Sequence, residues 1–241
     1  MKKALLLALF LMMALGCTKK PDVRREYYPN GNKKSEAVYK NDKLHGKYAE
    51  WHENGKKKEE VEYKDGNRHG KATAWHENGQ KKVEGIFKDD KMHGKHTEWY
   101  DTGKKQTESV FKDGKPQKAT AWHKDGTKLT EGEYKDGKEH GKWTWWYENG
   151  PKSEEGEYKG GDRHGNWTRW HENGKKSSDG KYLYGKKEGK WTFWYSRSTA
   201  KKMSEGEYTD GKEHGTWTWW DENGQITKVE QCTMGVCKEV R

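Results

Sequence analysis

The sequence predicts an all-β fold: an elongated, single-layer antiparallel β-meander of about eight tandem hairpin repeats, each of ~24 residues. Three observations lead there. A tryptophan recurs at near-constant spacing, at Trp51, Trp75, Trp99, Trp122, Trp146, Trp170, Trp194 and Trp220. A turn dipeptide follows most of them: Asn54-Gly55, Asn78-Gly79, Thr102-Gly103, Asp125-Gly126, Asn149-Gly150, Asn173-Gly174 and Asn223-Gly224. Glycine recurs every few residues, which penalises any long helix. The composition alone points the other way, because 37% charged and 29% hydrophobic residues usually bury too little surface to offset chain entropy. The 14 tryptophans resolve the conflict, since stacked aromatic rings bury large areas each.

The elements follow in order. Residues 1–16 form an export signal, with Met1-Lys2-Lys3 as the basic start and Ala4 to Leu15 as an apolar run too short for a comfortable membrane span. The run Ala14-Leu15-Gly16-Cys17 is similar to a bacterial lipobox. That likeness makes Cys17 a diacylated mature N-terminus and, with Thr18 rather than Asp after it, implies the outer membrane. Ordinary cleavage after Gly16 is the alternative. Residues 17–26 are a basic linker whose Lys19, Lys20, Arg24 and Arg25 would supplement a lipid anchor. Residues 27–231 are the repeats, and residues 232–241 a C-terminal cap. Cys232 and Cys237 are most simply a disulfide in an oxidising compartment, with two free thiols as the alternative.

Within a repeat, a half such as KWTWWY (142–147) has β-forming residues, Asn-Gly supplies a hairpin signal, and a half such as SEEGEYK (153–159) returns. An acid stands three residues before an aromatic in each return half, from Glu36 and Tyr39 to Glu205 and Tyr208. A second turn leads to His-Gly at His45, His69, His93, His140, His164 and His214, with Glu188-Gly189 once in its place. With strands about 4.8 Å apart, each repeat should advance roughly 9.6 Å. The spacing YENGKxxxEGxYKxGxxHGxW resembles the variant MORN repeat of bacterial proteins of the YwqK antitoxin type, from about Tyr27 to Gln231. The resemblance implies a β-repeat array used for binding; the antitoxin name carries little mechanism. The chain departs from the pattern at Lys115-Pro116-Gln117, which lacks His-Gly, and at Tyr195 to Lys202, where a longer loop replaces Asn-Gly.

Side chains alternate across a strand, so the eight recurring tryptophans, joined by Thr-x-Trp in all but the first copy, are expected to form a structural ladder on one face. The other face varies. It carries Trp143, Trp145, Tyr147, Trp167, Trp191, Phe193, Trp217 and Trp219 in the C-terminal repeats, but residues such as Ala72, Ala74, Ala119 and Ala121 earlier. If open, that strip is a candidate ligand-contact surface; if the sheet curls, it is packing.

No catalytic constellation is present. Equivalent histidines one repeat apart cannot share a zinc whose ligands lie near 2.0–2.1 Å. Asp136 to Lys142 lacks the phosphate-loop spacing and leads into a strand. No enzyme activity, cofactor or metal is therefore expected. The net charge of +10 would suggest nucleic acid inside a cell. Behind an export signal it suggests acidic lipid, glycan or protein instead, and Lys and Glu are interspersed. The expected function is a membrane-anchored binding scaffold for a protein partner. Alternatives are an envelope glycan or lipid stacked on the aromatic strip, and an antitoxin or immunity role.

Overall fold

A computed structural model describes residues 21–196 and 201–240. The export segment 1–16 and Cys17 lie outside these residues. Among the described residues there is no helix, and twenty strands form one sheet. Every pairing is antiparallel and joins neighbours in sequence, from β1 (Asp22–Tyr27) at one edge to β20 (Val236–Glu239) at the other, except that β6 (Lys81–Lys88) pairs with both the short β7 (Lys91–Met92) and β8 (Gly94–Trp99). The molecule is thus the open meander that the repeats imply.

Two kinds of turn alternate, and the residue types explain both. The central repeats show them: β11 (Lys128–Lys135), β12 (Lys138–Trp146), β13 (Lys152–Lys159) and β14 (Asp162–Trp170). Between β11 and β12, Lys135 pairs with Lys138 across Asp136 (φ 54°) and Gly137 (φ 81°). Two left-handed residues in succession make the two-residue turn whose twist suits a hairpin. Between β12 and β13 the loop is longer, because Gly150 N–H donates to Tyr147 O (3.0 Å) and Tyr147 N–H to Pro151 O (2.9 Å). Here Gly150 alone is left-handed (φ 101°). The asparagine of Asn-Gly therefore has a different task from the one expected: Asn149 Nδ2 donates to Glu172 O in the next loop (3.2 Å), and Asn78 Nδ2 to Asp101 O (2.7 Å).

The tight turns are stitched in the same way by backbone. Gly161 N–H donates to Glu139 O (3.0 Å), and Gly185 N–H to Arg163 O (2.9 Å). Both ends of each hairpin are thus hydrogen-bonded to the next, which couples neighbouring repeats as a solenoid requires.

His-Gly marks a bulge rather than a turn. Glu131 pairs with Thr144 and Glu133 with His140, so Gly141, Lys142 and Trp143 stand opposite Gly132 alone. Gly141 has φ 69°, which a side chain would strain. The histidines lean on the next tight turn: His45 Nδ1 lies 3.2 Å from Asp65 Oδ1, and His69 Nδ1 3.2 Å from Asp89 Oδ1. At β10 (Lys115–Trp122) Pro116 pairs with Phe111 and Lys118 with Val110, leaving only Gln117 as the extra residue. This smaller bulge accounts for the shorter spacing of Trp99 and Trp122.

Candidate functional site: the aromatic face and its interruption

Among the described residues the sheet has no second layer, so each face must satisfy itself. On one face stand the ladder tryptophans with Thr, Glu and Lys. Lys128 Nζ lies 5.0 Å from the Trp146 ring, and Lys152 Nζ 5.8 Å from Trp170. Glu155 accepts from Lys152 (2.5 Å) and Thr144 (3.3 Å) and pairs with Lys142 (3.1 Å). The unit recurs along the array, as Lys81, Lys71 and Glu84 or Lys202, Lys190 and Glu205. Burial works against the ionised form of Glu205, but hydrogen bonds from Lys190, Lys202 and Thr192 outweigh it and hold the carboxyl at about 2. This face is self-neutralised, and its tryptophans stay only partly buried.

The other face is an aromatic slab. Trp143, Trp167, Trp191 and Trp217 are buried, the last three to 2% exposure. Each indole lies over a glycine one strand back: Gly132, Gly156, Gly180 and Gly206. A methyl group on any of these would fall inside the ring. Each indole N–H is satisfied by a carbonyl, as Trp167 Nε1 donates to Glu157 O (3.1 Å). Tyrosines stand edge-on between the rings, with Tyr158 and Trp167 centroids 5.1 Å apart at 84°. Trp145 stacks against Trp143 (5.7 Å) and Trp167 (5.8 Å), and Phe193 bridges Trp191 and Trp217. Of the two readings that the sequence left open for the variable face, packing describes these four indoles. The variable face buries four indoles outright, while the recurrent ladder remains half open.

Of the strip, Trp145, Phe193 and Trp219 remain partly exposed. Tyr147 does not continue the alternation. The register shifts between Trp145 and Trp146, and the Tyr147 hydroxyl donates to Trp170 O in the next repeat (2.8 Å). Tyr195 does the same to Trp220 O (2.7 Å), and His171 Nε2 contacts Trp194 O at 3.0 Å.

Cations cover the slab where it is densest. The Arg163 guanidinium lies 4.3 Å from the Trp167 ring, with its amino group 2.9 Å from Glu154. Lys187 Nζ is 4.5 Å from Trp191, 4.5 Å from Tyr208 and 5.0 Å from Phe193. Desolvation among these rings, reinforced by the Arg169 charge, pulls the Lys187 ammonium below the usual lysine range. Burial, with the Glu213 charge, pushes the Tyr208 hydroxyl up to about 12.

The slab is interrupted at the irregular repeat. Ala119 and Ala121 occupy the positions of Trp143 and Trp145, and a depression of about 400 Å³ opens between Phe111 on one side and Tyr134 and Trp143 on the other. Sequence reading noted these alanines but not the gap that they make. Cys232 and Cys237 lie directly opposite each other on the last two strands, β19 (Ile226–Thr233) and β20, and form a disulfide. Among the described residues the one cluster with metal-ligand character is these cysteines with Glu213, and the disulfide removes both thiolates.

A single-layer sheet with a self-packed aromatic face, a charged ladder and one interruption defines a repeat scaffold. The chain belongs to the MORN repeat variant family, whose model matches residues 23–41, 44–65, 68–89, 92–113, 139–159, 163–183 and 213–231. The matches skip 114–138 and 184–212, which hold the irregular repeat and the repeat with the longer loop. MORN repeats are generally binding modules. No curated protein matches the chain significantly.

Proposed function

We propose that this chain is a non-catalytic scaffold that docks a protein partner on its aromatic face at the interruption. The observation that supports it is the depression over Ala119 and Ala121, the place where the slab leaves apolar ring surface uncovered between two aromatic walls. Stacking of an envelope glycan has less support, because Trp143, Trp167, Trp191 and Trp217 present buried rings. A lipid on Cys17 would hold the array in the cell envelope, at the outer membrane, with Lys19 and Lys20 against it, while Arg24 and Arg25 belong to β1 and pair with Asp22, Asp42 and Glu36; Cys17→Ser should then release the protein from the membrane fraction. An antitoxin role of the YwqK type finds no support in the site.

A photo-crosslinking residue at position 121, compared with one at position 144 on the opposite face, tests the docking reading in cells. A discrete protein adduct from 121 alone is expected, lost when Ala119→Trp fills the depression. Equal adducts from both faces, or adducts insensitive to filling, would refute it.

A further inference from the structure

Every repeat has one register position poised above the aromatic face, the second residue after the tight turn. Where that residue is basic, the protein covers its own rings. Arg68 lies 4.3 Å from the Phe87 ring, Arg163 4.3 Å from Trp167, and Lys187 4.5 Å from Trp191. Such placements recur because the negative face of a ring attracts a cation, most strongly where water is excluded.

Leu44 in the first repeat is apolar at this position, and three consecutive repeats further on also lack a base there, with Met92, Pro116 and Glu139. The depression lies in this stretch. Phe111, Tyr134 and Trp143 line it, together with Glu98 and with His96, whose ring centroid lies 5.8 Å from that of Phe111. Glu139 is the register partner of Tyr134, and its charge reinforces the upward effect of burial on the Tyr134 hydroxyl. In a chain of net charge +10, no lysine or arginine among the described residues lines this depression. Glu213 occupies the same register position further on, but there Lys187 already covers the neighbouring Tyr208.

We infer that the depression between Phe111 and Trp143 binds a cationic side chain of the partner, an arginine guanidinium, in the place that Arg163 fills for the next repeat but one after Pro116. The guanidinium lies against the rings and its N–H groups face the carboxylates of Glu98 and Glu139, as Arg163 faces Glu154 in its own repeat. This rests on the docking reading above and names the chemistry that the partner must present.

The test is calorimetric titration of the whole chain, in mild detergent, with Nα-acetyl-arginine amide and with its neutral citrulline counterpart. Saturable one-to-one binding of the arginine probe is expected, with the citrulline probe weaker by about tenfold or more, since the cationic attraction is lost. Glu139→Arg copies the residue of the Arg163 repeat, so the fold should survive, as checked by the aromatic circular dichroism. It should remove binding by turning one of the two facing carboxylates into a cation beside Tyr134. Glu139→Gln, of unchanged size, should weaken binding several-fold. Absence of saturable binding, equal binding of the two probes, or unchanged affinity in Glu139→Arg would each overturn the assignment. A partner that still crosslinks at position 121 while the arginine probe fails to bind leaves the docking reading standing and removes the cation.

Discussion

At the scale of single residues, ring and glycine are one structural choice made in two places. Trp143, Trp167, Trp191 and Trp217 each lie over a glycine eleven positions earlier, at Gly132, Gly156, Gly180 and Gly206. Where the later residue shrinks the earlier one grows: Tyr48 pairs with Ala37, and Ala72 with Val61. Volume is conserved because a single layer has no facing sheet to absorb a mismatch. Gly156→Ala is therefore expected to destabilise by about 1–3 kcal/mol through overpacking against Trp167. Gly156→Ala combined with Trp167→Ala should cost less than the sum of the single changes, because the clash disappears with the ring. Urea unfolding of the three variants measures this coupling, and strict additivity would contradict it. Both members are present in the sequence, but their pairing is not legible there, because they lie on different strands and only the register relates them.

At the scale of the element, the hairpins, the two turn positions and the ladder period were all legible, because Asn-Gly, Asp-Gly and Thr-x-Trp carry local chemistry. What was not legible followed from register. Alternation placed Tyr147 with Trp143 and Trp145, but the shift between Trp145 and Trp146 ends the alternation and turns the hydroxyl to Trp170 O. Nor does alternation reveal which face closes, since that depends on rings meeting across strands. The His-Gly bulge sets those meetings by placing three residues opposite one. Its glycine is thus expected to resist substitution: Gly141→Ala should cost about 1–2 kcal/mol for a left-handed non-glycine residue. Gln117→Ala, in the small bulge without His-Gly, should stay within about 0.5 kcal/mol of the parent, as changes away from such features do. Thermal unfolding of the pair distinguishes them, and equal effects would mean that the His-Gly bulge holds no special backbone geometry.

At the scale of the whole molecule, the repeats couple through both hairpin ends and through charge. Glu36, Glu60, Glu84, Glu108 and Glu131 are held below the usual carboxylate range first by hydrogen bonds from lysine, while burial raises Glu155 and Glu205 but their hydrogen bonds still hold both below that range. A carboxyl depressed on folding contributes stability that is fully present above its unfolded value of about 4.3 and lost as pH falls through the folded value. The urea midpoint should therefore fall steadily from pH 5 toward pH 2, and a flat profile would contradict the ladder. The central claim is that the aromatic face of the C-terminal repeats closes over itself and opens at the irregular repeat that bounds it. Hydroxyl-radical footprinting of the native protein, read residue by residue by mass spectrometry, tests it most directly. The structure predicts that Trp167, Trp191 and Trp217 are protected, that Trp146 and Trp170 react on the opposite face, and that Tyr134 and Phe111 react at the interruption. Oxidation of Trp167 and Trp191 as rapid as that of Trp146 would show that the face is open, and the account would fail.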